Sequence, residues 1–599
     1  PALRLIFVNL TGKRSQMKTI AIPLPVVVLI LSAFLFPANK INNTKGNAYA
    51  IGDIAKKKQL FSIGCAVNIG AIDFNDEEND IPLLGGWGNY RMPVTVSNDS
   101  SRIYFEQGIN MYYGFHIIEA IASFQKAIKF DTGFAMGYWG KALAYGPNIN
   151  DLGYSASPDA LVAVEKAKSL YYNCSGVEKA LVNAIAVRYS ADTMQSRGKL
   201  NQLYANAMKS VHEQYPESAD AASLYADALM VQHPWDLYDN RGKPKPWTPA
   251  IVNVLEGLVK EFPNHPGANH YYIHTIEGSD HPQDGIVVAD RLGKFMPGVA
   301  HLVHMPSHIY IRSGYYDKGI EVNKEAVASY NNYLSQFPAV KNADYLYIVH
   351  NLHMEATCAN MDARYADAVQ ISNECHNSFD SSYLDAGGYF GAYAQYIFMT
   401  PYLTMIRFGH WNDILNGPAQ PKSHVYANLL WHYARGVAFA RKELPDAAKS
   451  ELDSMLQDMN DIQLQESPPA FNAPVKVAAV AESILEGLIA EEKNDIVTAI
   501  NAYKDAVRQE DNLLYNEPRD WVHPARQYLG DALTKAGRFR EAETVFRDDL
   551  KINPNNPWSL TGLQTVLLLE NKKNDGLAVQ EKLREALKRS DTKISNAVF

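Results

Sequence analysis

Eight of the 17 histidines in this 599-residue chain, His270, His274, His281, His301, His304, His308, His350 and His353, fall within residues 270–353. Even scatter would place only about two there. Their spacing matters more than their number. Residues three or four apart share one face of a helix, and His270/His274, His301/His304/His308 and His350/His353 all have that spacing, with Glu277 three residues beyond His274. Neutral imidazole is a ligand for Zn, Cu, Fe or Ni, and the stretch offers few hard oxygen ligands that would favour Ca or Mg.

Imidazoles on separate helices make one site only if the helices are held in register, and the sequence contains a repeat that would do so. Residues 524–556 read PARQYLGDALTKAGRFREAETVFRDDLKINPNN. Leu529, Gly530, Leu533, Gly537, Phe539, Ala542, Phe546 and Pro554 stand at the spacings of a tetratricopeptide repeat, two antiparallel amphipathic helices whose small residues permit close approach. The same register runs through 101–132 and 480–510, and more weakly through 266–297, 300–331, 349–380, 395–420 and 428–458. With Gly285, Gly319 and Ala368 as markers, His270, His274 and Glu277 occupy the fifth, ninth and twelfth places of one first helix. His301, His304 and His308 take the second, fifth and ninth places of the next, and His350 and His353 the second and fifth of a third. Those places line the concave groove of such a repeat array; His281 falls outside them. Three or four ligands hold one ion, so the seven histidines and Glu277 are expected to bind one or two Zn or Cu ions.

Two other readings use the same groove. A peptide or protein partner could lie in it, with Arg312 joining the histidines against an anionic ligand. Alternatively, a bound metal with an open position could activate water for hydrolysis, with Glu277 or Asp280 as base. Pro306 interrupts the helix carrying His304 and His308, and its kink would re-aim His308. Met296, Met305 and Met354 read as packing residues.

The expected fold is all-α, a right-handed α-solenoid of tetratricopeptide-like hairpins. Its parts are an upstream extension and signal peptide (1–50), an irregular leader (51–100), N-terminal repeats (101–230), a Pro-rich loop (231–250), central repeats with the His-rich groove (251–420), C-terminal repeats (421–570) and a C-terminal helix and tail (571–599). Residues 20–36, IAIPLPVVVLILSAFLF, follow Lys18 and precede Ala48-Tyr49-Ala50. That order is a secretory signal, placing the mature chain outside the cytoplasm, periplasmic or secreted, with no integral membrane domain beyond the signal. The net charge is −9, and residues 1–50 hold six basic side chains and no acidic one, so the remainder is more acidic still. Nucleic acid is therefore not expected as a partner. Cys65, Cys174, Cys358 and Cys375 are too sparse for a disulfide framework. The chain has no glycine-rich phosphate loop, no G-x-S-x-G elbow, no H-E-x-x-H motif and no convincing cysteine nucleophile.

The stretches YWGKALAYGPNIN (138–150), HPGANHYYIH (265–274), HLVHMPSHIYIRSG (301–314), RFGHW (407–411), HYARGVA (432–438) and YNEPRDW (515–521) together resemble a family of large exported bacterial tetratricopeptide-repeat proteins, over roughly residues 85–570. The resemblance implies a long solenoid with an unusual groove and no particular reaction. Within these stretches Trp139, Asn148 and Asn150 are expected to close one end of the groove, and Tyr515, Glu517, Trp521 and Arg526 the other. His432, at a groove place of its own repeat, would extend the histidine surface.

Overall fold

The computed structural model describes residues 81–599 apart from 152, 153, 155, 337–347 and 380. The described residues all lie in one compact unit, Ile51–Phe599. The signal segment, Cys65 and the first part of the leader lie outside the described residues.

The described chain is helical from Asp99 onward, and among the described residues the one β feature is an isolated bridge between Tyr238 and Pro244. Consecutive helices pair as hairpins. Pro266–Ile276 pairs with Ile286–Leu292, the split helix Ala300–His304 and Pro306–Ser313 with Tyr316–Gln336, and His350–Met361 with Tyr365–Asn377. Toward the C-terminus Val425–Arg441 pairs with Pro445–Asp458, Pro474–Glu492 with Ile496–Asp511, and Ala525–Lys535 with Phe539–Ile552. Among the described residues no helix is long and apolar enough to cross a membrane.

One packing device accounts for the spacing of the glycines. The buried Phe546 ring stands between Gly530 on its own hairpin and Gly562 on the next helix, where added Cβ atoms would approach the ring to 2.5 and 2.3 Å. Phe124 stands in the same way between Gly108 and Gly140, at 2.7 and 2.5 Å. An aromatic knob thus replaces the missing side chains, and each hairpin docks on the next through it. Helix starts are marked locally: Pro158, Pro266, Pro445, Pro474 and Pro557 occupy the first turn, where no backbone N–H is needed. Ser175 and Glu178 form a reciprocal capping box.

Residues 81–98 contain no helix before Asn98 and pack on the array as an extended strap. Lys126 Nζ donates to the Ile81 carbonyl at 2.8 Å, and Gly298 N–H to the Gly86 carbonyl at 2.9 Å. Trp87 is buried against Tyr333, with ring centroids 5.2 Å apart. Residues 231–247 form a loop between Ala219–Met230 and Thr248–Glu261.

Late segments of the chain also meet the central helices. Tyr316 OH donates to the Pro554 carbonyl at 2.9 Å, Trp558 Nε1 to the Asn360 carbonyl at 3.1 Å, and Arg407 to Gln527 Oε1 at 2.6 Å. Asn240 Nδ2 reaches the Asp511 carbonyl at 2.9 Å. The histidine-bearing helices therefore face protein on the side where the sequence placed an open groove.

The glycine–aromatic device gives a sign test. Gly530→Ala should lower the thermal midpoint, because overpacking costs about 1–3 kcal/mol while the gain in helix propensity returns only about 1 kcal/mol. Gly257→Ala, in a helix with nothing within 4 Å of the new Cβ, should instead raise it slightly. Thermal denaturation followed by circular dichroism checks both; equal shifts would mean that Phe546 is free to move.

Candidate metal centre

The split of one helix at Pro306 sets the geometry. Ala300–His304 ends at Met305, and Pro306 opens the next helical segment without an N–H to offer. Across this break His304 Nε2 and His308 Nε2 stand 2.8 Å apart. On the preceding hairpin His270 Nε2 faces His301 Nε2 at 2.9 Å. The rings of His270, His274, His301, His304, His308 and His350 form a continuous series, with neighbouring centroids 4.6–6.0 Å apart. All six are buried, none more than 6% exposed.

Three sets of ligand atoms come together, each within 4.8 Å: His270, His274 and His301; His304, His308 and His350; and His274, Glu277 and His308. His353 is buried but belongs to none of them, and its ring lies 6.0 Å from that of Tyr396. The groove expected from the sequence is corrected here: these residues share one face, but that face is interior, because other parts of the fold cover it.

The oxygen atoms around the rings fix their tautomers. His270 Nδ1 lies 2.6 Å from the Tyr113 carbonyl, which can only accept, so Nδ1 carries the proton and Nε2 a lone pair. His274 Nδ1 donates to Glu277 Oε1 at 2.9 Å, and its Nε2 has no hydrogen-bond partner. His304 Nδ1 donates to Asn323 Oδ1 at 3.0 Å; Asn323 is oriented by its own Nδ2 donating to the Gly319 carbonyl at 2.7 Å. His308 Nδ1 donates to the carboxylate of Glu277, with Glu517 also in contact. Among the described residues His350 Nε2 has no hydrogen-bond partner. His304 and His308 thus point two lone pairs at each other, an arrangement that needs a proton or a metal ion between them.

On His304 a proton is disfavoured. Burial first, and neighbouring imidazoles second, push His304, His301, His270 and His350 well below the usual histidine range. Burial lowers His274 against the pull of Glu277, and lowers His353 to about 4. Burial alone would raise Glu277, but His308 and His274 outweigh it and hold the carboxyl below its usual range. Glu517 beside it is pushed well above, by burial and then by the Glu277 charge, so one of the two acids keeps its proton. Tyr515 OH also donates to Glu277 Oε2, at 3.0 Å.

The YNEPRDW segment therefore joins the histidines directly through Tyr515 and Glu517. Arg312 donates to the carbonyls of Glu277 and Ser279 at 2.7 and 3.0 Å and lies over the Tyr515 ring, so it anchors this loop. Trp521 is buried against Tyr433, and Arg526 pairs with Asp511. His432 pairs with Glu451 away from the cluster. Trp139 is in the core, and Asn148 accepts from the Asn150 backbone in a turn. Asp280 pairs with Lys243 and with His281. Sequence reasoning missed Asn323, Tyr113, Phe115 and Trp235, whose roles depend on which helix meets which. Phe115 packs edge-on against His270 at 4.5 Å, and Trp235 against His274 at 5.6 Å.

No protein-family description matches this chain, and no curated protein matches it. Solved structures with some likeness include the human IFIT1 dimer with m7Gppp-AAAA, at 13% identity over 82% of this chain and 91% of that one, with a TM-score of 0.30. Yeast Tom70 gives 11% identity over 82% and 92%, TM-score 0.28, and the P58(IPK) TPR domain 12% over 79% and 99%, TM-score 0.21. Likeness at that level says nothing about shape or ligand. The hairpins, the glycine–aromatic docking and the register define the class from this chain itself: an all-α helical-repeat protein of tetratricopeptide type. What sets it apart is the buried histidine cluster.

Six imidazoles (His270, His274, His301, His304, His350 and His353) prefer to be neutral in the fold. The unfolded chain would take up protons at these positions as pH falls below about 6.5, and the folded chain would do so only at lower pH, about 4 at His353. The contribution of these groups to stability is therefore complete above about 6.5 and lost as pH falls through that window. Buried acids raised in the fold, Glu517 together with Asp151, Asp227, Glu355, Asp362, Glu510 and Asp520, work in the opposite sense over the same window, so the histidine contribution shows only as a difference between variants. Chelator-treated His353→Gln protein should therefore lose less melting temperature between pH 7.5 and pH 5 than the wild type does; the same pH dependence in both would contradict neutral burial of His353.

Proposed function

We propose that this protein binds transition-metal ions, Zn or Cu, within its helical array, one held by His270, His274 and His301 and a second by His304, His308 and His350. The observation that carries this reading is the tautomer pattern. Four imidazoles have Nδ1 fixed by an oxygen acceptor, leaving Nε2 lone pairs turned inward. Metal-ligating histidines are oriented in this way, with the second nitrogen donating to a carboxylate, a carbonyl or an amide oxygen.

Distances support it with a small adjustment. A Zn–N bond of about 2.0–2.1 Å in tetrahedral geometry separates ligand nitrogens by about 3.3 Å. The 2.8 and 2.9 Å pairs would open by roughly half an ångström, within the reach of small ring rotations. Glu277 donates no proton to either ion's ligands; it accepts from His274 in one set and His308 in the other, so one carboxylate orients both. A bound cation would supply Lewis acidity, and the neighbouring Glu277–Glu517 acid pair and Tyr515 would hold protons beside it. The signal-like order of residues 17–50 supports an extracytoplasmic setting, where such a site would meet metal outside the cytosol. A peptide lying along the histidines is disfavoured, because none of the six rings is accessible enough to touch one.

Protein purified without an affinity tag should contain Zn or Cu by elemental analysis, and the stripped protein should take up one to two equivalents at neutral pH. Saturation at a hundredfold excess over Kd should stabilise the fold by about 2.7 kcal/mol per site. Joint substitution His304→Ala and His308→Ala should remove one equivalent, whereas His424→Ala, at an exposed pair with Asp385, should remove none. Because burial keeps His270, His274 and His301 neutral in the fold, uptake at that set should persist as pH falls through about 6, where free imidazole would already compete with a proton. A protein that binds neither ion at pH 7.5 overturns the proposal.

A further inference from the structure

The YNEPRDW segment has a second acidic residue, Asp520, which takes no part in the histidine cluster. It lines a small pocket together with Tyr389, Tyr393, Tyr396, Tyr426 and Asn472. We propose that this pocket binds an alkylammonium group, enclosed by the tyrosine rings and paired with Asp520.

Charge is the first argument. Asp520 accepts from Asn472 Nδ2 and Asn516 Nδ2, both at 2.7 Å. Both donors are neutral, and among the described residues no Lys, Arg or His pairs with this carboxylate. Burial pushes it up to about 6 although the two amides oppose that. A carboxylate in such surroundings is under-compensated, and a ligand cation would supply the missing charge.

The pocket's build is the second. Asn472 is locked by its own bonds to Leu514, with Nδ2 donating to the carbonyl and Oδ1 accepting from the N–H, both at 2.9 Å. Asn516 is held by the Glu517 N–H at 3.0 Å. The carboxylate is therefore positioned before any ligand arrives. The rings form two near-parallel pairs: Tyr396 and Tyr426 with centroids 5.9 Å apart at 24°, and Tyr389 and Tyr393 at 6.3 Å and 12°. Aromatic faces carry negative potential and attract a cation within about 6 Å of the centroid, most strongly where water is excluded.

A third observation concerns the buried Tyr426 hydroxyl. It lies close enough to Asp520 for the carboxylate to raise it further, after burial, yet among the described residues it has no hydrogen-bond partner. An N–H or a polarised N–CH3 group between Tyr426 and Asp520 would use both. The cavity is small, about 20 Å³ of water-sized space, room for the water-sized end of a primary ammonium and not for a folded peptide. That head group could belong to a free amine or to a lysine side chain at a chain's surface.

The test is isothermal titration of the full chain in buffer with EDTA, which keeps the histidine cluster metal-free and the two sites separable. Probes are methylammonium, choline, its neutral isostere 3,3-dimethylbutan-1-ol, and N-acetyl-lysine-N-methylamide. At least one ammonium should bind saturably, and if choline is among the binders it should bind ten-fold or more tightly than the isostere. Tighter binding of the lysine derivative than of the free amines would assign the source as a polypeptide, and the reverse as a small metabolite; either supports the proposal. Asp520→Asn should weaken the bound ammonium ten-fold or more. Tyr426→Phe, which removes only an unpartnered hydroxyl, should weaken it measurably with the melting temperature unchanged. Equal binding of choline and its isostere, or no saturable binding of any ammonium, overturns it.

Discussion

A single buried carboxylate organises the centre of this protein. Glu277 is 1% exposed and accepts from His274, His308 and Tyr515. An unpaired charge in that position would cost several kcal/mol. Its donors are therefore obligatory, and each donor fixes something beyond itself. His274 and His308 are locked with Nε2 inward. Tyr515 brings in a loop 238 residues later in the chain. Arg312 holds the Glu277 carbonyl, so the backbone carrying the acid is pinned as well as its side chain. The packing of late helices against the central ones follows from the same need, since an open groove would leave Glu277 in water and the histidines free to protonate.

The roof over the cluster is built at a local cost. Phe115 and Trp235 have positive φ, 57° and 60°, where a side chain strains the backbone. Elsewhere the left-handed position at a hairpin turn is taken by Gly314, Gly409 or Gly537, by Asn494 or Asn571, or by Ala363 or Glu443. Glycine and asparagine adopt that conformation cheaply, Ala363 has a small side chain and Glu443 an exposed one. At 115 and 235 it is taken by large aromatic residues. Phe115 stacks near-parallel to His274 and His301 at 5.8 and 5.7 Å, and Trp235 meets His274 edge-on. Strain of order 1–3 kcal/mol per residue persists where the surroundings over-determine it, and here two strained residues exclude water from the same imidazoles.

Much of this was legible in the sequence because repeat register is local information. Gly285, Gly319 and Ala368 each mark a second helix, and with them the histidine face follows from helical periodicity. Burial was not legible, because it depends on which distant segment meets that face, and nothing in residues 515–521 announces a partner near 277. Tyr515 and Glu517 were singled out from their motif but assigned to the far end of a groove, since a repeat pattern orders neighbours and carries no information about contacts between distant hairpins. His353 shows the limit of register in the other direction. It shares its helix with His350 at a spacing of three, yet its ring turns to Tyr396, because a helix face spans a wide arc and one turn shifts the side chain from the cluster to the next hairpin. Asn323 was beyond reach for a different reason: an asparagine in an amphipathic helix reads as surface until its orientation by the Gly319 carbonyl is seen.

A centre assembled from parts so far apart in sequence cannot be separated energetically from the docking of the array. The Nε2 lone pairs of His304 and His308 face each other only while Glu277 is ionised and in reach of His308, and Glu277 is enclosed only while the loop with Tyr515 and Glu517 is docked. If docking and undocking are in equilibrium, any ion held by these nitrogens has its apparent affinity reduced by the docked fraction. The ion in turn raises that fraction by its binding free energy. Asp520, three residues beyond Glu517, is carried on the same loop, so the tyrosine pocket is completed by the same docking. The two faces of this loop are therefore linked through one conformational step, and the direction of that link is fixed: whatever stabilises the loop on the histidine side also favours the arrangement on the tyrosine side.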